Sequence, residues 1–319
     1  MKKYIILLLM AQLTWGQEPT KRIEFEAPES YPEGVAFDKA ANVFYVSSAR
    51  LGTVGKVTKD GKYSELYADK TLKSTYGLKV QPDGKRLFVC AGDANYSKFS
   101  TPDTKKKMAR LVIIDLKTGK KINDIDLAGL IPGEHFPNDL DFDKQGNVYI
   151  TDSFADAIYK VDKAGKATVF STSELLKTAG VGPNGIVFHQ EGFLLVANNG
   201  TGALIKLPVS SPNTGTKVKI DQFFPGADGM LLNDTTTLTV VQNGGVNKIF
   251  KIKSSDNWTT AQVAESTSVE DRFAFPSTAA ISGSETWIMN ANFSELAEGN
   301  NVPSKKFSLQ QAVFAPVKK

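Results

Sequence analysis

Residues 137–152 read PNDLDFDKQGNVYITD. The polar pair Asn138-Asp139 opens the stretch, Leu140 and Phe142 alternate with acids, Gln145-Gly146-Asn147 makes a turn, and Val148-Tyr149-Ile150 is a second apolar run. Alternation of this kind marks a half-buried strand, and a short Gly-containing turn between two such runs marks a hairpin. The unit recurs along the chain. It stands as Pro32-Glu33-Gly34-Val35-Ala36-Phe37 before Val43-Phe44-Tyr45-Val46, and as Tyr76-Gly77-Leu78-Lys79-Val80 before Leu87-Phe88-Val89. It returns as Pro183-Asn184-Gly185-Ile186-Val187-Phe188 before Phe193-Leu194-Leu195-Val196, and as Ala227-Asp228-Gly229-Met230-Leu231-Leu232 before Leu238-Thr239-Val240-Val241. A weaker sixth copy is Pro276-Ser277-Thr278-Ala279-Ala280-Ile281 before Trp287-Ile288-Met289.

Aligned on Glu33, Tyr76, Asn138, Asn184, Asp228 and Ser277, the copies lie 43, 62, 46, 44 and 49 residues apart. The long interval contains residues 93–108, a polar, Lys-rich insertion expected to be a surface loop. Third and fourth strands follow several copies, as in Ala157-Ile158-Tyr159-Lys160-Val161 and Ala167-Thr168-Val169-Phe170. Short strands and hairpin turns repeated near this period predict an all-β fold, a six-bladed β-propeller with four-stranded antiparallel blades. A two-sheet sandwich predicts no such recurrence. A parallel α/β sheet needs helical crossovers, and the only helical signal is a possible short turn over residues 173–177. The circle is expected to close by pairing Arg22-Ile23-Glu24-Phe25-Glu26 with strands near residues 307–314, which removes an exposed sheet edge.

Lys2 and Lys3 precede a mostly apolar run over residues 4–13, and Thr14-Trp15-Gly16 follows. That is the layout of a cleavable signal peptide. Residues 1–16 are therefore expected to be removed, leaving one domain over 17–319, exported to the periplasm or the cell exterior. The formal net charge of +4 falls to +2 without Lys2 and Lys3, and the positive residues are scattered among acids. This argues against a nucleic-acid surface. Lys105-Lys106-Lys107 lies beside Asp103 and reads as a solvated loop. No later stretch is apolar enough to span a membrane, and a monomer is expected. Cys90, the only cysteine, sits in an apolar run and reads as a buried thiol rather than a nucleophile.

Repeats turn position into geometry. The polar pair enters the innermost strand, where blades converge on the central channel, so Glu33, Asn138, Asn184 and Asp228 should face one point from four blades. Tyr76 and Ser277 take the other two places. Two carboxylates and two amide carbonyls form an all-oxygen set with charge −2, which suits a hard divalent cation, Ca²⁺ first, with Mg²⁺ or Mn²⁺ as alternatives. Zinc, although a further candidate, prefers His or Cys, and neither occupies these places. Without a cation the two acids would repel each other at a cost in desolvation. Asn-Gly and Asp-Gly are also ordinary turn pairs; agreement at four equivalent positions favours the metal.

At these residues the chain resembles the senescence marker protein/gluconolactonase family, which includes regucalcin-like proteins and bacterial lactonases. The markers stand here as Glu33-Gly34, Asn138-Asp139, Asn184-Gly185 and Asp228-Gly229-Met230. The resemblance implies a six-bladed propeller, a catalytic divalent metal held by those four side chains, and hydrolysis of lactones or related esters, with Asp228 as general base toward water. It also implies organophosphate triesters as a side substrate. Two departures bear on the substrate. Val35-Ala36-Phe37 stands where sugar-lactone members carry Pro and Trp, and Phe136 stands where they place a substrate-holding Arg. An apolar side chain cannot pair with hydroxyls as Arg does, so a more hydrophobic lactone or ester is expected.

Tyr76, His135 and Phe136 are candidate substrate-binding residues, with His135 either a proton shuttle or a packed loop histidine. His189 reads as a surface residue, and Asp152 as either channel lining or a turn. No Gly-x-Ser-x-Gly elbow or Gly-rich phosphate loop is present. The alternative to a hydrolase is a noncatalytic binding or scaffold propeller whose metal is structural.

Overall fold

The computed structural model describes residues 20–296 and 303–317; the segment read as a signal peptide, residues 1–16, lies outside them. Short connections make each repeat pair with itself. Six antiparallel sheets result, each four-stranded except for the fifth blade, where Ala315–Pro316 adds a strand beside Gln262–Ser266. The inner strands are Val35–Asp38, Ser74–Val80, Pro137–Phe142, Pro183–His189, Ala227–Leu232 and Pro276–Ser282. This is the six-bladed propeller that the repeats predict.

The ring closes through the N-terminal strand. Arg22–Glu26 pairs antiparallel with Lys306–Gln311, Phe25 opposite Phe307 and Ile23 opposite Leu309, as the outermost strand of blade six. Burial drives this closure: the alternation exposes Arg22, Glu24 and Glu26 and buries Ile23 and Phe25. Those two side chains join Phe44, Trp287, Met289 and Phe307 in one apolar cluster between blades one and six. Similar clusters fill the other junctions, and Cys90 lies fully buried in one of them.

One irregularity repeats. In five inner strands the register with the neighbouring strand shifts at the same place, between Thr75 and Leu78, Pro137 and Leu140, Pro183 and Ile186, Ala227 and Met230, and Pro276 and Ala279. Each shift brackets the repeat position. Bulges of this kind release a residue from the ladder and re-aim its side chain.

One local expectation changes. His189 is buried, with Nε2 2.9 Å from the Thr235 carbonyl and its ring stacked on Phe193 at 4.3 Å. Its strand carries it inward where the turn chemistry of Gln190-Glu191-Gly192 suggested the surface. The short turn expected over residues 173–177 is present as a 3₁₀ turn, Glu174–Leu176, capped by the Ser173 side chain.

Candidate metal centre at the channel entrance

The repeat positions form a closed ring around the axis. Side chains added at Gly34, Gly77 and Gly185 would collide with the carbonyls of Tyr76, Asn138 and Asp228, and one at Gly229 would lie 2.8 Å from the Ser277 carbonyl. Thr151 Oγ1 donates to the Asn184 carbonyl at 2.7 Å, joining blades three and four. Ser277 Oγ donates to the Glu33 carbonyl at 2.6 Å, joining blades six and one. Glycine after the repeat residue thus permits backbone contact between neighbouring blades.

Hydroxyls at the ends of the second strands bond the backbone at the repeat positions. Ser47 Oγ accepts from the Glu33 and Gly34 amides at 3.1 and 2.7 Å. Thr151 Oγ1 accepts from the Asp139 amide at 3.0 Å. Ser153 Oγ donates to the Pro183 carbonyl at 2.7 Å and accepts from Asn138 Nδ2 at 3.0 Å. The last bond fixes the Asn138 amide with its oxygen turned away from Ser153. On Asp228, Oδ2 accepts from Asn243 Nδ2 at 2.5 Å.

What remains is one unmatched oxygen on each residue. Glu33 Oε2, Asn138 Oδ1, Asn184 Oδ1 and Asp228 Oδ1 are buried without a hydrogen-bond partner, and their residues are 5, 2, 4 and 6 % exposed. Buried polar atoms are nearly always satisfied, and each orphan costs roughly 1–3 kcal/mol. Orphaned oxygens at four equivalent positions of one ring fit a cation. Among the described residues no three His, Cys, Asp or Glu side chains gather into a metal-holding group. The donor set, two acids and two amides, therefore belongs to hard-cation chemistry rather than to zinc.

Electrostatics agree. Burial raises the Glu33 carboxyl well above the usual carboxylate range, and repulsion from Asp228 and Asp139 adds to it. Asp228 rises for the same reasons, burial first and Asp139 second, against the pull of the Asn184 and Asn243 amides. Asp139, next to Asn138, is a third acid that the repeat alignment did not single out. Burial pushes it up to about 6, with Lys79 and the Leu140 amide pulling the other way. Lys79 is itself tied to Asp141 at 2.8 Å. Negative charge in this channel exceeds positive charge.

The substrate candidates divide. Tyr76 is fully buried; its hydroxyl accepts from the Ala94 amide at 2.9 Å, and its ring meets Phe136 edge-on at 4.7 Å. Phe136 is buried among aromatic rings. His135 is buried with Nδ1 2.7 Å from Asp152 Oδ2, and the Ile131 carbonyl also acts on it. Asp152 carries the turn that follows it, its Oδ1 accepting from the Phe154 and Ala155 amides at 3.3 and 3.2 Å, and it also receives His135, the Phe136 amide at 2.7 Å and the Tyr159 hydroxyl at 3.0 Å. This network holds the segment that enters blade three.

Residues 93–108 form the surface loop that their composition predicts, half of them exposed, but its first residues turn inward, with Asp93 and Ala94 buried and Tyr96 half-buried. The Asp93 carboxylate accepts from the Asn95 amide, Ser100 Oγ and Thr104 Oγ1, and its carbonyl accepts from the Lys106 amide at 2.6 Å. Tyr96 is thereby brought close enough to Asp228 and Glu33 that both raise its hydroxyl pKa, after burial, the larger cause. The only signals were Tyr96 and Phe99, two aromatics in a mostly polar run.

No family model matches the sequence, and no curated protein sequence matches it. Solved structures do. The chain is similar to the major Malassezia sympodialis allergen Mala s 1, with a TM-score of 0.72 and 19 % identity over 92 % of this chain and 96 % of that one. It is similar to virginiamycin B lyase from Staphylococcus aureus, TM-score 0.61 and 15 % identity over 92 % and 100 %. A candidate gluconolactonase gives a TM-score of 0.58 and 15 % identity over 93 % and 94 %. At such identities the likeness establishes the fold.

Proposed function

We propose that this propeller is an exported, metal-dependent hydrolase of lactones or related esters. The observation that supports it is the set of four orphaned, buried oxygens on Glu33, Asn138, Asn184 and Asp228. These residues would hold one divalent cation, Ca²⁺ first, and a cation there would supply Lewis-acid polarisation of a bound carbonyl. The chain's own contribution is positional and basic. Asn243 holds Asp228 Oδ2 and so fixes the orientation of the carboxylate. As water adds to the carbonyl carbon, the Asp228 carboxylate takes its proton; the ring C–O bond breaks, and the proton passes to the departing alkoxide, leaving a hydroxy acid. Two of the neighbouring structures carry enzyme names, a lyase and a candidate gluconolactonase, which is consistent with catalysis at this ring.

Phe136, in place of a charged substrate anchor, also suits a noncatalytic propeller with a structural cation. Metal analysis of the purified full chain, followed by a lactone panel on the same sample, separates the two. Turnover that vanishes in Asp228→Ala while the fold persists supports the hydrolase; metal-dependent stability without turnover on any lactone or ester contradicts it.

A further inference from the structure

Five aromatic side chains form a collar over the ring of oxygens. Tyr96 packs on Phe293 at 5.1 Å and on Phe136 at 6.2 Å between ring centroids; Phe136 meets Phe154 at 5.3 Å, and Phe293 stacks on Phe275 at 5.6 Å. They come from separate places. Tyr96 belongs to the insertion of blade two, Phe136 and Phe154 flank the first hairpin of blade three, and Phe275 and Phe293 flank that of blade six. Phe136 and Phe275 each precede a repeat residue by two positions.

Left-handed backbone helps hold three of these rings in place. Phe275 has φ +50°, Asn95 before Tyr96 has φ +77°, and Asn292 before Phe293 has φ +56°. For a bulky aromatic such as Phe275 that conformation is an outlier, and such strain persists only where surrounding bonds over-determine it. Here the Phe275 carbonyl accepts from the Ala291 amide at 3.1 Å. Tyr96 is anchored through Ala94, whose amide donates to Tyr76 in the ring beneath. All but Phe136 are half-buried, so part of each of the other four rings stays accessible. Among the described residues the Tyr96 hydroxyl has no hydrogen-bond partner.

We propose that this collar selects lactones or esters carrying a planar aryl group, which stacks against Tyr96 and Phe293 while the Tyr96 hydroxyl donates to an oxygen of the ligand. The specificity rests on the hydrolase reading above only for turnover; binding is a separate property. Aromatic faces stack on one another in offset or edge-on arrangements that a polyhydroxylated ring does not match. A tyrosine hydroxyl is protonated at neutral pH and so can donate.

The test uses the full chain with Ca²⁺, dihydrocoumarin (an aryl-fused lactone) and δ-gluconolactone. Calorimetry with the ring-opened product of dihydrocoumarin reads binding without turnover. Tyr96→Ala should weaken that binding and raise KM for dihydrocoumarin about tenfold, leaving Ca²⁺ affinity and melting temperature near wild type. Tyr96→Phe should keep the stack and lose roughly three- to tenfold through the missing hydroxyl. Product binding by wild type that Tyr96→Ala weakens, even with no turnover, upholds the collar while refuting the hydrolase. Equal binding by wild type and Tyr96→Ala, no binding by wild type, or a preference for δ-gluconolactone overturns the collar.

Discussion

Ser277 donates its hydroxyl to the backbone carbonyl of Glu33 at 2.6 Å, across 244 residues of sequence. This bond joins the last inner strand to the first at the level of the candidate cation. It explains why Ser277, the least acidic member of the repeat position, sits in that ring: blade six contributes closure, and blades one, three, four and five contribute oxygens. Ser277→Ala leaves a buried carbonyl unpaired, at a cost of roughly 1–3 kcal/mol. Urea unfolding should show that loss, and Ca²⁺ affinity should fall with it because Glu33 is no longer held from behind. Unchanged stability and affinity would assign the bond no role in closure.

Removing an acid from the ring should stabilise the metal-free protein. Glu33 and Asp228 are buried, mutually repelling and raised in pKa. Asp228→Asn and Glu33→Gln each remove one buried charge, so the chelated variants should unfold at higher urea than the chelated wild type, by about 1 kcal/mol or more. Both should lose most of the stabilisation by Ca²⁺. Thermal or urea unfolding with chelator and with Ca²⁺ reads both effects.

The pH dependence follows in sign. A carboxyl whose folded pKa exceeds its unfolded value favours the folded state below the unfolded pKa and loses that contribution as pH rises through the folded pKa. Asp139 rises from 3.8 to about 6, so it alone withdraws on the order of 3 kcal/mol between those values. Glu33 and Asp228 extend the loss to higher pH. Chelated protein should therefore lose stability between pH 5 and 8. His135, raised by Asp152, works in the same direction, but it does so with or without a cation. Asp69, Asp124, Asp234 and Asp256 are lowered, so their contribution is lost only as pH falls through the acid range, below this window. Saturating Ca²⁺ should flatten the slope. Unfolding free energies at four pH values, chelated and loaded, check it; parallel curves would contradict it.

His135→Ala tests the packed histidine against the proton shuttle. It leaves Asp152 Oδ2 with the Tyr159 hydroxyl alone and opens a hole beside Phe136, at a cost of about 1–3 kcal/mol in stability. The pH profile of kcat should keep its shape. Loss of one limb of that profile would return His135 to the chemistry.

The architecture was legible because a propeller writes its period into the chain. Repeated polar pairs followed by alternating apolar residues placed all six inner strands, and the alternation of Ile23 and Phe25 placed the closing strand. The ring residues were legible for the same reason, since symmetry converts one position into one height. What surrounds them was not. Asp139 and the hydroxyls of Thr151 and Ser153 matter because a bulge opens the ladder beside them, and a bulge leaves little mark on composition; Ser47 does the same work at the start of blade one. Tyr96 matters because the loop over residues 93–108, braced by Asp93, brings that one ring to Phe136 and Phe293, a relation that no repeat encodes. His189 read as surface because the turn beside it is polar, whereas its strand and Phe193 bury it.

Calorimetric titration of Ca²⁺ into chelator-treated full-length protein, wild type beside the double variant Glu33→Gln/Asp228→Asn, tests the cation ring most directly. One ion per chain is expected in wild type and none in the double variant. No binding in wild type, or equal binding in both, would show that the four buried oxygens hold no metal.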